Sequence, residues 1–170
     1  NMTEQGIDDD MRALSAAGLP RVLFVTHAWG GGIGQHVRDL RELLSPDARV
    51  VTLRPDGDGC CLLELPGGRT LSFTVARWDQ AVAALRMLGI DRVHLHHVQG
   101  LPPQVLSLAS ALAVPLDVTL HDYLAVCPQY HLADRENRYC GEPDAAGCNA
   151  CLMLRPHAWP FDITGWRQAF

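Results

Sequence analysis

RVLFVTHAWGGGIGQHVRDLRELL, residues 21–44, decides the fold. Arg21–Thr26 is a continuous apolar run after Pro20, the length of a buried parallel strand. The turn Gly30-Gly31-Gly32 follows. Ile33, Val37, Leu40 and Leu44 then recur at helical spacing, and the helix ends at Ser45-Pro46. Strand, glycine turn, helix is the opening unit of an α/β sheet.

The same alternation continues outward. Arg49–Leu53 reads as a second strand, followed by a loop over Pro55–Gly59. Cys61–Leu65 and Arg69–Val75 flank Pro66-Gly67-Gly68 and read as a hairpin. Trp78, Val82 and Leu85 mark a second helix closed by Gly89. Arg92–His96 is a further strand. Leu101, Val105, Leu108 and Leu112 predict a third helix, with Pro102-Pro103 in its first turn. Leu116–Leu120 is expected as the next buried strand. The fold class is therefore α/β: a Rossmann-like, doubly wound, mostly parallel sheet over residues 20–170. Residues 1–19 are expected to be a flexible lead with a short helical turn at Met11–Ala17. Asn1 ahead of Met2 reads as a tag scar.

Composition narrows the function. The chain has 170 residues, 48% of them hydrophobic, and no apolar run of the roughly 18 residues that a membrane span needs. Its net charge is −5, which argues against nucleic acid as a partner. Every basic side chain except histidine is arginine. A P-loop lysine and Schiff-base chemistry are thereby excluded. The polar, acidic start is not a secretory signal, so six cysteines are expected reduced, in structural or metal-binding roles.

In a doubly wound sheet, ligands bind beyond the carboxyl ends of the strands. Three strand ends carry suggestive residues. Gly31, Gly32 and Gly34 open a helix and suit an anion such as a diphosphate, or simply a tight turn. They do not form the dinucleotide fingerprint, since Val37 stands where its third glycine belongs. His96, His97 and Gly100 end the fourth strand unit; parity separates His94 and His96 from His97. His121 and Asp122 end the last strand. His121 is suited to a hydroxyl contact or to acid–base work near neutral pH, while Asp122 is either a site residue or a cap.

Beyond them Cys127, Cys140, Cys148 and Cys151 have the spacing C-x12-C-x7-C-x2-C in a segment with little periodicity. Four thiolates fit a closed structural zinc; two disulfides or four free thiols are the alternatives. Cys60-Cys61 reads as a small apolar pair on a strand.

With those residues in place, the chain resembles the N-terminal domain of a family 4 (group 1) retaining glycosyltransferase of the GT-B fold. The resemblance rests on RVLFVT followed by Gly31–Val37, on VHLHHVQGLPPQVLSLASAL, on Pro115–Asp122, on the cysteine loop from Cys127-Pro128, and on Trp166-Arg167. It implies sugar transfer, with retention, from a nucleotide-diphosphate sugar to a glycan, lipid-linked or small-molecule acceptor in bacterial polysaccharide synthesis.

On that resemblance His121 would be the catalytic-site residue facing the donor sugar. Gly31, Gly32, Gly34, His97, Gly100 and Asp122 would bind substrate. No cofactor is required for transfer, and zinc on the cysteines would be structural. The place expected is the cytoplasm, where a peripheral contact at the inner face of its membrane would be open to it. The donor-binding C-terminal domain is absent from these residues, so the chain alone is expected to be inactive. Two other readings stand beside it. One is an NAD(P)-binding oxidoreductase half, with Asp56 as its acid. The other is a non-catalytic, zinc-clipped interaction domain.

Overall fold

The computed structural model describes residues 18–57, 59–155, 157 and 159–170. The expected flexible lead, with its turn at Met11–Ala17, lies outside the described residues apart from Gly18 and Leu19. The chain divides into two compact units, one through Thr119 and one from Leu120 to Phe170.

The first unit is a mixed α/β fold around a largely parallel six-stranded sheet. Its strands are β1 (Arg21–Val25), β2 (Arg49–Pro55), β3 (Cys60–Glu64), β4 (Thr70–Thr74), β5 (Arg92–Leu95) and β6 (Leu116–Val118). They lie in the order β4-β3-β2-β1-β5-β6. β2, β1, β5 and β6 run parallel, and β3 and β4 complete the sheet as an antiparallel hairpin. The strand order reverses between β1 and β5, which makes their carboxyl ends the switch point of a Rossmann-like topology.

Apolar patterning explains the layers. Leu23, Phe24, Val25, Val51, Leu53, Leu63 and Val93 are almost fully buried, as continuous apolar strands must be when both faces are covered. Helix α1 (Gly31–Leu44) turns Val37 inward onto Phe24 and Val50, with Ile33, Leu40 and Leu44 beside it. Helix α2 (Trp78–Met87) buries Ala81, Val82 and Leu85 and stops before Gly89, whose φ is +59°.

Two expectations need correction. The third helix is broken. Pro103–Ser107 forms a 3₁₀ segment, and only Leu108–Leu112 (α3) is α-helical. Consecutive prolines set the tighter first turn, and Ser107 at φ −100° and ψ 9° interrupts the α ladder. The last strand is not buried either. β6 is a three-residue edge strand with Leu116 and Val118 exposed. An apolar, β-branched run reads alike whether one neighbour or two will pair with it.

The second unit holds helices α4 (Ala145–Leu154) and α5 (Ile163–Ala169), each started by an aspartate. Asp144 accepts from Gly147 N–H and Asp162 from Gly165 N–H. Its core is Trp166, wholly buried. The indole Nε1–H donates to the Leu124 carbonyl at 2.6 Å, and the ring packs against Trp159 and Phe170. α4 lies inside the stretch expected to be irregular. Its run of alanine, glycine, cysteine and leucine has no polar face and so no amphipathic signal.

Gly100 occupies a position that only glycine fits. Its φ is +83°, and a Cβ there would stand 2.9 Å from Pro55 Cγ at the end of β2. Gly100→Ala should therefore destabilise the fold by about 1–3 kcal/mol. Urea unfolding checks this; an unchanged midpoint would mean that the β5 turn does not approach β2 so closely.

Candidate functional site

Register places the polar residues of the first unit in two rows across one face of the sheet. Thr52, Phe24, His94 and Asp117 are partners across β2, β1, β5 and β6. Thr26 and His96 stand two residues further along β1 and β5, at the carboxyl edge. His94 and His96 stack with ring centroids 4.1 Å apart, and Phe24 meets both edge-on. His94 Nε2 bonds Thr119 Oγ1 at 2.7 Å, and burial pushes its pKa below the ordinary imidazole value. α1 brings His36 to 5.6 Å from the His96 ring.

The Val25 carbonyl accepts from both His96 N–H (2.9 Å) and His97 N–H (3.2 Å). The chain turns there, and His97 leaves for the other side. Its ring meets His27 edge-on at 5.0 Å. The backbone N–H of Trp29 donates to His27 Nδ1 and that of Gln99 to His97 Nδ1. A neutral ring that accepts at Nδ1 carries its proton on Nε2.

His121, the third residue beyond β6, completes a cluster. His36, His96 and His121 each offer a ring nitrogen, and the three atoms lie within 4.8 Å of one another. His36 is exposed, His96 buried and His121 half-buried. Together they can coordinate a metal ion, consistent with a structural zinc site, and imidazole suits zinc, copper, iron and nickel. The expected structural zinc thus has a candidate ligand set in these histidines, beside the cysteines named for it. His36 was missed, although it flanks the buried stripe of α1 at Val37 and so borders the strand ends.

Gly31, Gly32 and Gly34 stand at the start of α1, as expected. No side chain caps this helix, and a Cβ at Gly30, Gly31 or Gly32 would meet nothing within 4 Å. Beside it lies a pocket of about 350 Å³ whose wall includes Thr26, Trp29, Arg38, Arg41, Thr52 and Arg54. Arg41 is paired with Glu64 at 2.6 Å, whereas among the described residues Arg38 bonds Gln35 Oε1 and Arg54 the Pro55 carbonyl, with no acid paired with either. Thr26 Oγ1 and Thr52 Oγ1 are buried with no hydrogen-bond partner among the described residues. These cations and hydroxyls, absent from the sequence expectation, favour an anionic ligand. Asp122 accepts from Leu124 N–H at 2.8 Å, a turn-forming role.

In the second unit Cys127, Cys140, Cys148 and Cys151 line one cavity, and none is in a disulfide. Burial pushes the Cys127 thiol up, and the three neighbouring thiols add to this against a hydrogen bond from Gln129 N–H. Cys61 on β3 is wholly buried, and burial with its neighbour Cys60 raises it to about 11, which makes it inert packing. A further cavity of about 540 Å³ is lined by Leu152, Met153, His157 and Phe161. No described helix is long and apolar enough to cross a membrane.

Comparison with protein-family models, with curated proteins and with solved structures finds no match to this chain.

His157 allows a pH test. Burial lowers its pKa, and its Nδ1 accepts from Trp159 N–H at 3.2 Å. The unfolded chain therefore takes up the proton first. Stability is full above the ordinary value of about 6.5 and falls as pH drops through it towards the lower folded value. Urea midpoints between about pH 7.5 and 5.5 should show this loss, and His157→Gln should flatten it.

Proposed function

We propose that this protein is a metal-clipped α/β interaction domain, in which His36, His96 and His121 hold a divalent first-row ion at the end of the sheet. The observation that carries this is the convergence of their three ring nitrogens within 4.8 Å. Zinc–nitrogen bonds of about 2.0–2.1 Å would draw the rings together. The Val25 carbonyl fixes the backbone under His96, and the Phe24 and His94 rings fix its plane. Three neutral ligands leave one coordination position and the full charge of the ion. A carboxylate or other anionic group of a partner suits both, and His36 stands at the exposed side.

The test is metal content and affinity. Purified protein equilibrated with zinc should retain it through dialysis, and His96→Ala should lose affinity by more than the about 10–100-fold typical of an outer-shell change. Retention should also weaken in acid, because protons compete with the metal for imidazole. Equal zinc retention by wild type and His96→Ala would sink the reading.

A second reading is favoured by the glycine turn and its arginine-lined pocket. On this reading the chain is the acceptor-side half of a retaining glycosyltransferase of GT-B type. Gly31, Gly32 and Gly34 would approach the diphosphate of a nucleotide-sugar donor, and Arg38 and Arg54 would counter its charge. His121 would face the donor sugar, with His97 and Gly100 towards the acceptor. The uncapped start of α1 and the unsatisfied Thr26 and Thr52 hydroxyls support an anion there. Calorimetric titration with a nucleoside-diphosphate sugar should show binding that Arg54→Ala weakens about tenfold or more. No heat with any such sugar, beside intact zinc binding, would leave the metal reading alone.

A further inference from the structure

We propose that Cys127, Cys140, Cys148 and Cys151 form a second metal site, a closed four-thiolate zinc clip that holds the second unit together. It shares no residue with the histidine cluster and stands or falls independently of it.

All four cysteines line a single cavity of about 40 Å³. That is ample for one ion, since a water needs about 10–15 Å³ by the same measure. No three of the four sulfurs lie within 4.8 Å of one another, so zinc–sulfur bonds of about 2.3 Å would draw them together. α4 presents Cys148 and Cys151 one turn apart on the same face, in the manner of a chelating pair. The other two come from backbone turns. Cys127 N–H donates to the Tyr123 carbonyl at 2.8 Å, and Cys140 N–H donates to the Leu132 carbonyl at 3.0 Å. Helix and turns thus deliver two sulfurs each.

The segment between Cys127 and Cys148 is held in a costly shape. Tyr130, Asn137 and Glu142 all have positive φ, at 52°, 58° and 47°. Left-handed backbone at residues other than glycine costs about 1–3 kcal/mol each. The antiparallel bridge of Ala133 and Tyr139, backbone bonds such as Asp134 N–H to the Arg138 carbonyl, and the bonds of Asp134 to Glu136 and Arg138 N–H are part of the local order that offsets it. A cross-link through the cavity would add to that order.

The chemistry of the walls agrees. Sulfur ligands select a soft or borderline ion, and zinc–sulfur bonds of about 2.3 Å close a tetrahedron with no open position. Each thiol gives up one proton on binding, so four thiolates around Zn²⁺ carry a net charge of −2. Arg155 and Arg167 line the same cavity and balance it, with Glu142 the one acid in the wall. Arg167 already points at Cys148 Sγ, 3.8 Å away. His131 also lines the cavity, and its buried Nδ1 has no hydrogen-bond partner among the described residues. A protonated Nδ1 there would donate to a thiolate, as second-shell groups in zinc sites do.

Cobalt titration of the full, reduced, metal-stripped chain tests this. Co²⁺ should give near-ultraviolet thiolate-to-cobalt charge-transfer absorption together with the visible bands of a tetrahedral site, and Zn²⁺ should abolish both. His96→Ala should keep the charge-transfer band, and a Cys148→Ser, Cys151→Ser variant should lose it. The wild-type spectrum decides even if that variant does not fold. Absence of the charge-transfer band, its persistence in the double variant, or two disulfides found by mass spectrometry of the unreduced protein would each overturn the proposal.

Discussion

The Val25 carbonyl accepting two backbone N–H groups is the constraint on which the sheet's carboxyl edge depends. The second of these bonds, from His97, falls just past the end of β5 and marks where the chain turns away from the ladder. His96 keeps the parity of Phe24 and His94, and His97 takes the opposite side towards His27. Two histidines adjacent in sequence are thereby committed to separate neighbourhoods. The central place of β1, paired on both sides, makes this arrangement hard to move, because a shift would cost two registers at once.

The second unit solves a different problem. Among the described residues it has no sheet and few fully buried apolar side chains, so a single large ring does what a layer does elsewhere. Trp166 fills the centre, satisfies its own N–H on the Leu124 carbonyl, and draws Trp159 and Phe170 onto its faces. Arg167 follows on the same helix and bonds the Val126 carbonyl. Helix α5 thus fastens the start of the unit by side chain to backbone contacts rather than by strand pairing. The cysteine-lined cavity lies within this thinly packed unit, where an internal cross-link has the most to contribute.

Much of the first unit was legible because period and punctuation agree there. Arg21–Val25 and Ile33–Leu44 show clean apolar patterns separated by glycine, and the hairpin announced itself at Pro66-Gly67-Gly68. Parity in RVHLHH correctly grouped His94 with His96. What stayed hidden depended on distance along the chain. His36 meets His96 sixty residues on, and no local pattern encodes that meeting. The arginine pocket joins α1 to β2 and β3 through side chains that each look like ordinary solvated charge. α4 was hidden for the opposite reason: a helix apolar all round carries no periodic signal. The double proline at Pro102-Pro103 was read as a helix start when it also sets a tighter helical form.

The outer boundary of the sheet at β6 has a consequence for the molecule in company. An exposed strand edge is a template on which another chain can add itself. Here the template is only three residues long, is preceded by Pro115 with no N–H to offer, and places Asp117 in an ion pair with Arg92 at its middle. A visiting strand would find few backbone groups to bond and no N–H at Pro115. The exposed side chains of Leu116 and Val118 thus border an edge whose own backbone offers little invitation.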